Sequence, residues 1–119
     1  MSRQLTDLDP VLLEKVMLLI AGCAERGIGV VVIDTLRTEE EHAANLANGT
    51  SWTARSKHLP DANGRSRAVD LAPERVLGMK GWAPQHRFWE TMGELGESLG
   101  LRWGGRWAAR DWGHFELPD

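Results

Sequence analysis

The chain has 119 residues, 42% of them hydrophobic and 26% charged, which suits one globular domain over 1–119 and excludes a disordered chain. A net charge of −3 and a pI near 5.8 exclude a duplex-binding protein, because neutralising phosphates needs clustered Lys and Arg. The single cysteine, Cys23, excludes an internal disulfide and a cysteine-based zinc site.

Asp9-Pro10 opens the first helix, with Asp as N-cap and Pro at the first helical position. Val11, Leu12, Val16, Leu19 and Ile20 recur at helical spacing, and Gly27 ends the helix. Cys23 falls inside it, in a setting that predicts a buried, inert thiol. The β-branched run over 28–33 reads as a buried strand. Thr38 and Glu41 form a capping box that starts a second helix, ending near Asn48-Gly49. Residues 50–66 are polar and turn-rich. A short strand over 68–71 is stopped by Pro73, a third helix is predicted over 84–99, and the tail over 101–117 reads as two short strands around Gly104-Gly105. Strands and helices do not alternate regularly, so the predicted fold is α+β, a mostly antiparallel sheet with helices packed on it. No basic segment leads into an apolar run at the N-terminus and no stretch is long enough to span a bilayer, so synthesis in a cytoplasm without a signal peptide is expected.

His58, Asp70 and His114 each lie where a loop meets a predicted strand. Read singly, each is an ordinary polar loop group. Read together, two imidazoles and a carboxylate form a normal catalytic zinc set with the fourth position left to water. Asp111 precedes His114 by three residues, where a carboxylate can sit beside a metal and take a proton from a water that the metal acidifies; alone, it reads equally as a turn-forming Asp. Glu116 shares a strand face with His114 and is placed to orient a ligand imidazole. Trp103, Trp107 and Trp112 suit core or cleft wall.

The segments Ser56-Lys57-His58, Ala68-Val69-Asp70-Leu71 and Asp111-Trp112-Gly113-His114-Phe115-Glu116 resemble the VanY-like family, the D-alanyl-D-alanine carboxypeptidases and L-alanyl-D-glutamate endopeptidases of peptidoglycan, several phage endolysins among them. Its pattern is S-x-H, then A-x-D, then D/E-x-x-H. The resemblance implies zinc at His58, Asp70 and His114, Asp111 as catalytic acid/base, and a small fold akin to the Hedgehog signalling domain. It also gives Arg37, in Asp34-Thr35-Leu36-Arg37-Thr38-Glu39, the stabilisation of the polarised carbonyl, a role that a fixed guanidinium suits. Ser56, which could equally orient His58, and Trp112 are the candidate substrate contacts.

Residues 59–69 separate His58 from Asp70, a longer stretch than in most of the family, because residues 60–64 look inserted; this leaves Asp61 as a rival ligand. His42 and His86 lie on predicted helices away from the motifs and are expected at the surface. The expected function is a monomeric zinc peptidase acting on peptidoglycan stem peptides, an endolysin reaching the wall after holin release, without nucleic-acid or membrane partners. The alternatives are a D-alanyl-D-alanine carboxypeptidase and a zinc-containing binding module without turnover; Asp111 and Arg37 disfavour the latter. The cations weighed for gripping a terminal carboxylate, Arg55, Lys57, Arg65 and Arg67, sit in no motif that fixes them at the metal. On that ground the L-alanyl-D-glutamate bond is preferred.

Overall fold

Asp9 accepts hydrogen bonds from the backbone N–H groups of Val11 and Leu12 at 2.8 and 3.4 Å, capping helix α1 (Pro10–Glu25) as its sequence predicts. The computed structural model describes residues 2–48 and 56–118. Strand β1 (Val30–Asp34) follows. The reciprocal bonds of Thr38 and Glu41, 3.0 and 3.2 Å, then start α2 (Glu39–Ala47). Gly49 and residues 50–55 lie outside the described residues.

Strand β2 (Ala68–Pro73) leads through two short 3-10 turns to α3 (Arg87–Ser98). That helix starts three residues later than expected from Pro84. Gly81, Trp82 and Ala83 have φ of 60°, 58° and 42°, a left-handed run that no α-helix accommodates. His86 caps the helix instead, its Nδ1 accepting from the Phe88 N–H at 3.1 Å. Strands β3 (Arg102–Trp103) and β4 (His114–Glu116) complete the predicted tail.

The sheet order is β1-β2-β4-β3, antiparallel throughout. β1 is an edge strand, so residues 30–33 are half-buried and not fully buried as the β-branched run suggested. Ile33 is an extra residue between the pairs Val32–Leu71 and Asp34–Asp70, a bulge that re-aims the end of the strand.

One face of the sheet meets the helices. Val69, Leu71, Trp103 and Phe115 pack with Leu12, Val16, Leu19 and Cys23 of α1 and with Trp89 and Met92 of α3. α3 comes close because it carries glycines there: a Cβ at Gly96 would meet the Phe115 ring at 2.4 Å. Phe115 is fully buried, and truncating it to Ala costs about 3–5 kcal/mol. The opposite face is left for Asp34, Asp70, His114 and Glu116.

Candidate metal centre and cleft

Antiparallel register lines up the polar residues. Asp34 pairs with Asp70 across β1 and β2, and Asp70 with His114 across β2 and β4. The bulge at Ile33 allows the first of these pairings. His58 joins the row from a loop tied at two points: Arg37 N–H donates to the His58 carbonyl at 2.8 Å, and Arg67 N–H to the Lys57 carbonyl at 3.0 Å. Ser56 Oγ accepts from the His58 N–H at 3.2 Å, so this hydroxyl shapes the turn that presents the imidazole.

One ligand atom from each of His58, Asp70 and His114 lies within 4.8 Å of the others. The hydrogen bonds set the tautomers. His58 Nδ1–H donates to the Thr35 carbonyl at 2.7 Å, turning the Nε2 lone pair toward Asp70 Oδ1 at 3.3 Å. His114 Nε2–H donates to Glu116 Oε1 at 2.8 Å, turning Nδ1 toward the same oxygen at 3.3 Å. Neither His58 Nε2 nor Asp70 Oδ1 has a hydrogen-bond partner, although both atoms are buried. Three lone pairs facing one point repel unless a cation lies among them, and two imidazoles with a carboxylate are a donor set for a divalent metal.

Without a metal, a proton does part of this work. Burial alone would lower the His114 pKa, but Asp70 and Glu116 outweigh it and push the imidazole up to about 9. Asp70 is likewise held far below the usual carboxylate range, burial being overcome by the His114 and His58 rings on either side. Glu116 is kept at about 2 against its own burial by His114 and Lys57. Lys57 Nζ lies 3.0 Å from Glu116 Oε2 and donates to the Leu117 carbonyl at 2.7 Å. A chain Lys57–Glu116–His114 thus fixes the His114 ring, and the Trp107 ring packs against it, tilted, with centres 4.8 Å apart.

Asp111 Oδ2 stands 4.0 Å from His114 Nδ1. Its pKa is raised, by burial first and then by the charge of Asp70, which suits a group that takes up and returns a proton. Two glycines let this segment close on the sheet. A Cβ at Gly104 would meet the Asp111 carbonyl oxygen at 2.5 Å, and one at Gly113 the Leu71 carbonyl oxygen at 2.5 Å.

Arg37 donates through Nη2 to Asp34 Oδ2 at 3.0 Å, and this oxygen lies 4.0 Å from His58 Nδ1. The Arg37 Nε is buried without a hydrogen-bond partner. The Arg37 guanidinium therefore lies on the Nδ1 side of the His58 ring, and Arg37 does not line the groove described below. Asp34, 1% exposed, was passed over in the sequence; a carboxylate ending an apolar strand three residues before Arg37 was its signal. Asp61 is no rival ligand. Its Oδ1 accepts from Asn63 N–H at 2.8 Å and Arg65 N–H at 3.0 Å, closing its own loop. His42 corrects an expectation: it is 3% exposed, because α2 turns it inward, and neither ring nitrogen has a hydrogen-bond partner.

Beside Asp70 and Asp111 runs a groove of about 270 Å³, lined by Ile33, Trp82, Trp89, Arg110 and Trp112 among others. Trp112 does line the cleft. Of the cations weighed from sequence, Lys57 is held by Glu116, Arg65 donates to the Thr6 carbonyl at 2.6 Å and Arg67 to the Pro118 carbonyl at 3.3 Å; Arg55 lies outside the described residues. Arg110, which sequence reasoning did not weigh, is the cation in the groove among the described residues.

The chain is 33% identical over 82 residues to the L-alanyl-D-glutamate peptidase of Listeria phage A118, an overlap of 69% of this chain and 27% of that protein. It is 32% identical over 94 residues to the L-alanyl-D-glutamate peptidase of Escherichia phage T5, covering 72% of this chain and 64% of the relative. It thus spans about a quarter of the first relative's length and just under two thirds of the second's. Its fold matches the crystal structure of the Serratia marcescens L-Ala D-Glu endopeptidase ChiX with a TM-score of 0.75 over 96% of this chain and 83% of that one, at 21% identity. The family model for phage L-alanyl-D-glutamate peptidases matches residues 2–117, a range that contains the whole sheet, the His-Asp-His cluster and the groove, and the chain belongs to that family.

Proposed function

We propose that this chain is a zinc-dependent endopeptidase that hydrolyses the L-alanyl-D-glutamate bond of peptidoglycan stem peptides, acting as an endolysin on the cell wall after holin release. The observation that carries this reading is the convergence of His58 Nε2, Asp70 Oδ1 and His114 Nδ1 within 4.8 Å, in a chain of the phage L-alanyl-D-glutamate peptidase family. When bound there, zinc supplies the positive charge that acidifies a water and polarises the scissile carbonyl.

The rest is the work of this chain's own residues. Asp111 takes the proton of the attacking water as the new C–O bond forms. It returns that proton to the departing amine as the C–N bond breaks, so one carboxylate serves as base and then acid. Glu116, backed by Lys57, keeps the His114 ring turned with Nδ1 inward. Arg37, held by Asp34 on the Nδ1 side of His58, acts on the oxygen that becomes negative through its charge at a distance, without touching it. No helix among the described residues is long and apolar enough to cross a membrane.

The test is digestion of a defined stem peptide with the zinc-loaded protein, followed by mass spectrometry of the products. A new D-glutamate amino terminus is expected. Release of free D-alanine alone would replace this reading with the carboxypeptidase one.

A further inference from the structure

We propose that Arg110, carried on the Trp112 ring, is the specificity residue that binds the free carboxylate of the D-glutamyl residue at the cleavage site; this rests on the endopeptidase reading above. The chemistry of the substrate requires such a group to exist. A glutamyl residue has two carboxyls, and the chain that continues from it uses one. Whichever is used, the other remains within a few bonds of the scissile nitrogen. An enzyme that cuts here has to place an anion beside Asp111, a carboxylate of its own that the metal does not hold, and a cation is needed to offset that repulsion.

Arg110 answers that difficulty by position. It is adjacent to Asp111 in the chain and lines the same groove as Asp70 and Asp111. Its guanidinium lies 5.1 Å from the centre of the Trp112 ring, a cation–π contact that holds the group near the groove without using its donors. No carboxylate among the described residues pairs with it, and it is exposed. By contrast Arg37 is committed to Asp34 and Lys57 to Glu116.

The groove is shaped to make the contact count. Trp82 forms part of its wall while 42% exposed, on the left-handed run at residues 81–83. Left-handed backbone at Trp82 and Ala83 is unfavourable for L-residues. It is held by Trp89, whose indole N–H donates to the Trp82 carbonyl at 2.9 Å. An indole kept at the rim in this way excludes water from one side of the groove, where an Arg–carboxylate pair gains strength.

The experiment compares two defined stem peptides, one with the free carboxylate on the D-glutamyl residue and one with a carboxamide in its place. The parent protein is expected to prefer the carboxylate by roughly tenfold or more in kcat/KM. Arg110→Gln should abolish that preference by raising KM for the carboxylate peptide to the level of the amide peptide, with metal content unchanged. Arg110→Lys should restore part of it, because the charge returns without the bidentate fork. A parent that cuts both peptides equally, or an Arg110→Gln variant that keeps the parent's ratio, overturns the role of Arg110 and leaves the peptidase reading standing. Failure to cut either peptide overturns the peptidase reading, and this inference with it.

Discussion

Asp70 and His114 face each other across hydrogen-bonded strands, whereas Trp82 and Arg110 stand on segments outside any strand. The first pair is buried or half-buried, and its partners within the fold are charged. The second pair is exposed. The difference separates two demands. Ligand atoms must converge to within a fraction of an ångström, and a sheet does this because register leaves no freedom once its other face is packed. Groups that receive a substrate must stay wet until it arrives, and loops permit that.

The strongest way to break this comparison is to remove a ligand from the strand side. His114→Ala should lower the zinc content from one ion per chain to a small fraction, as read by elemental analysis, and abolish turnover. Full metal stoichiometry in that variant would take His114 out of the site. Asp111→Asn comes next: metal content and thermal unfolding should match the parent while kcat falls by about 10²–10⁴-fold. An active Asp111→Asn protein would move the acid/base role elsewhere, with Glu116 the first residue to examine.

Arg37→Gln probes the seam between the two regions. If its charge acts in the transition state, kcat should fall by about 10²-fold with KM nearly unchanged. A change confined to KM would instead make Arg37 a substrate anchor. The same variant leaves Asp34 buried without its cation, so its melting temperature should fall as well.

The smallest effect expected is a pH dependence of stability in the metal-free protein. The His114 pKa is raised to about 9 in the fold, from about 6.5 in an unfolded chain. The stabilisation is therefore complete below pH 6.5 and lost as the pH rises through about 9. At the acid end Glu116, held at about 2, loses its contribution as the pH falls from about 4.5 toward 2. Melting temperatures across this range should peak near pH 5–6, and added zinc should remove the alkaline decline, since the metal takes the place of the His114 proton. An alkaline decline that persists in the zinc-loaded protein would show that His114 is not what titrates.

Much of this was legible in the sequence where a residue acts on its neighbours. Asp9 and Thr38 cap helices through bonds to residues two or three positions away, and the S-x-H, A-x-D and D-x-x-H segments mark the ends of loops and strands. Features that depend on distant partners were not. The late start of α3 follows from the left-handed turn that Trp89 pins, and the burial of His42 depends on where α2 lies. Arg110 differs from Arg65 and Arg67 only in what surrounds it. Of the two roles open to Ser56 in the sequence, the structure shows the one beside His58, whose N–H it accepts, a bond between near neighbours that the S-x-H spacing allows.

The loop over residues 60–64 closes on itself. Asp61 N–H donates to the Arg65 carbonyl at 2.8 Å and Gly64 N–H to the Asp61 carbonyl at 3.0 Å, so its two ends are stapled together between His58 and Asp70. Whatever is spliced between those ends is insulated from the ligands on either side, and lengthening a closed loop costs little chain entropy. For an engineer this makes the tip at Asn63 a grafting port, where a wall-targeting peptide or a fluorophore could be carried without disturbing the distance between His58 and Asp70.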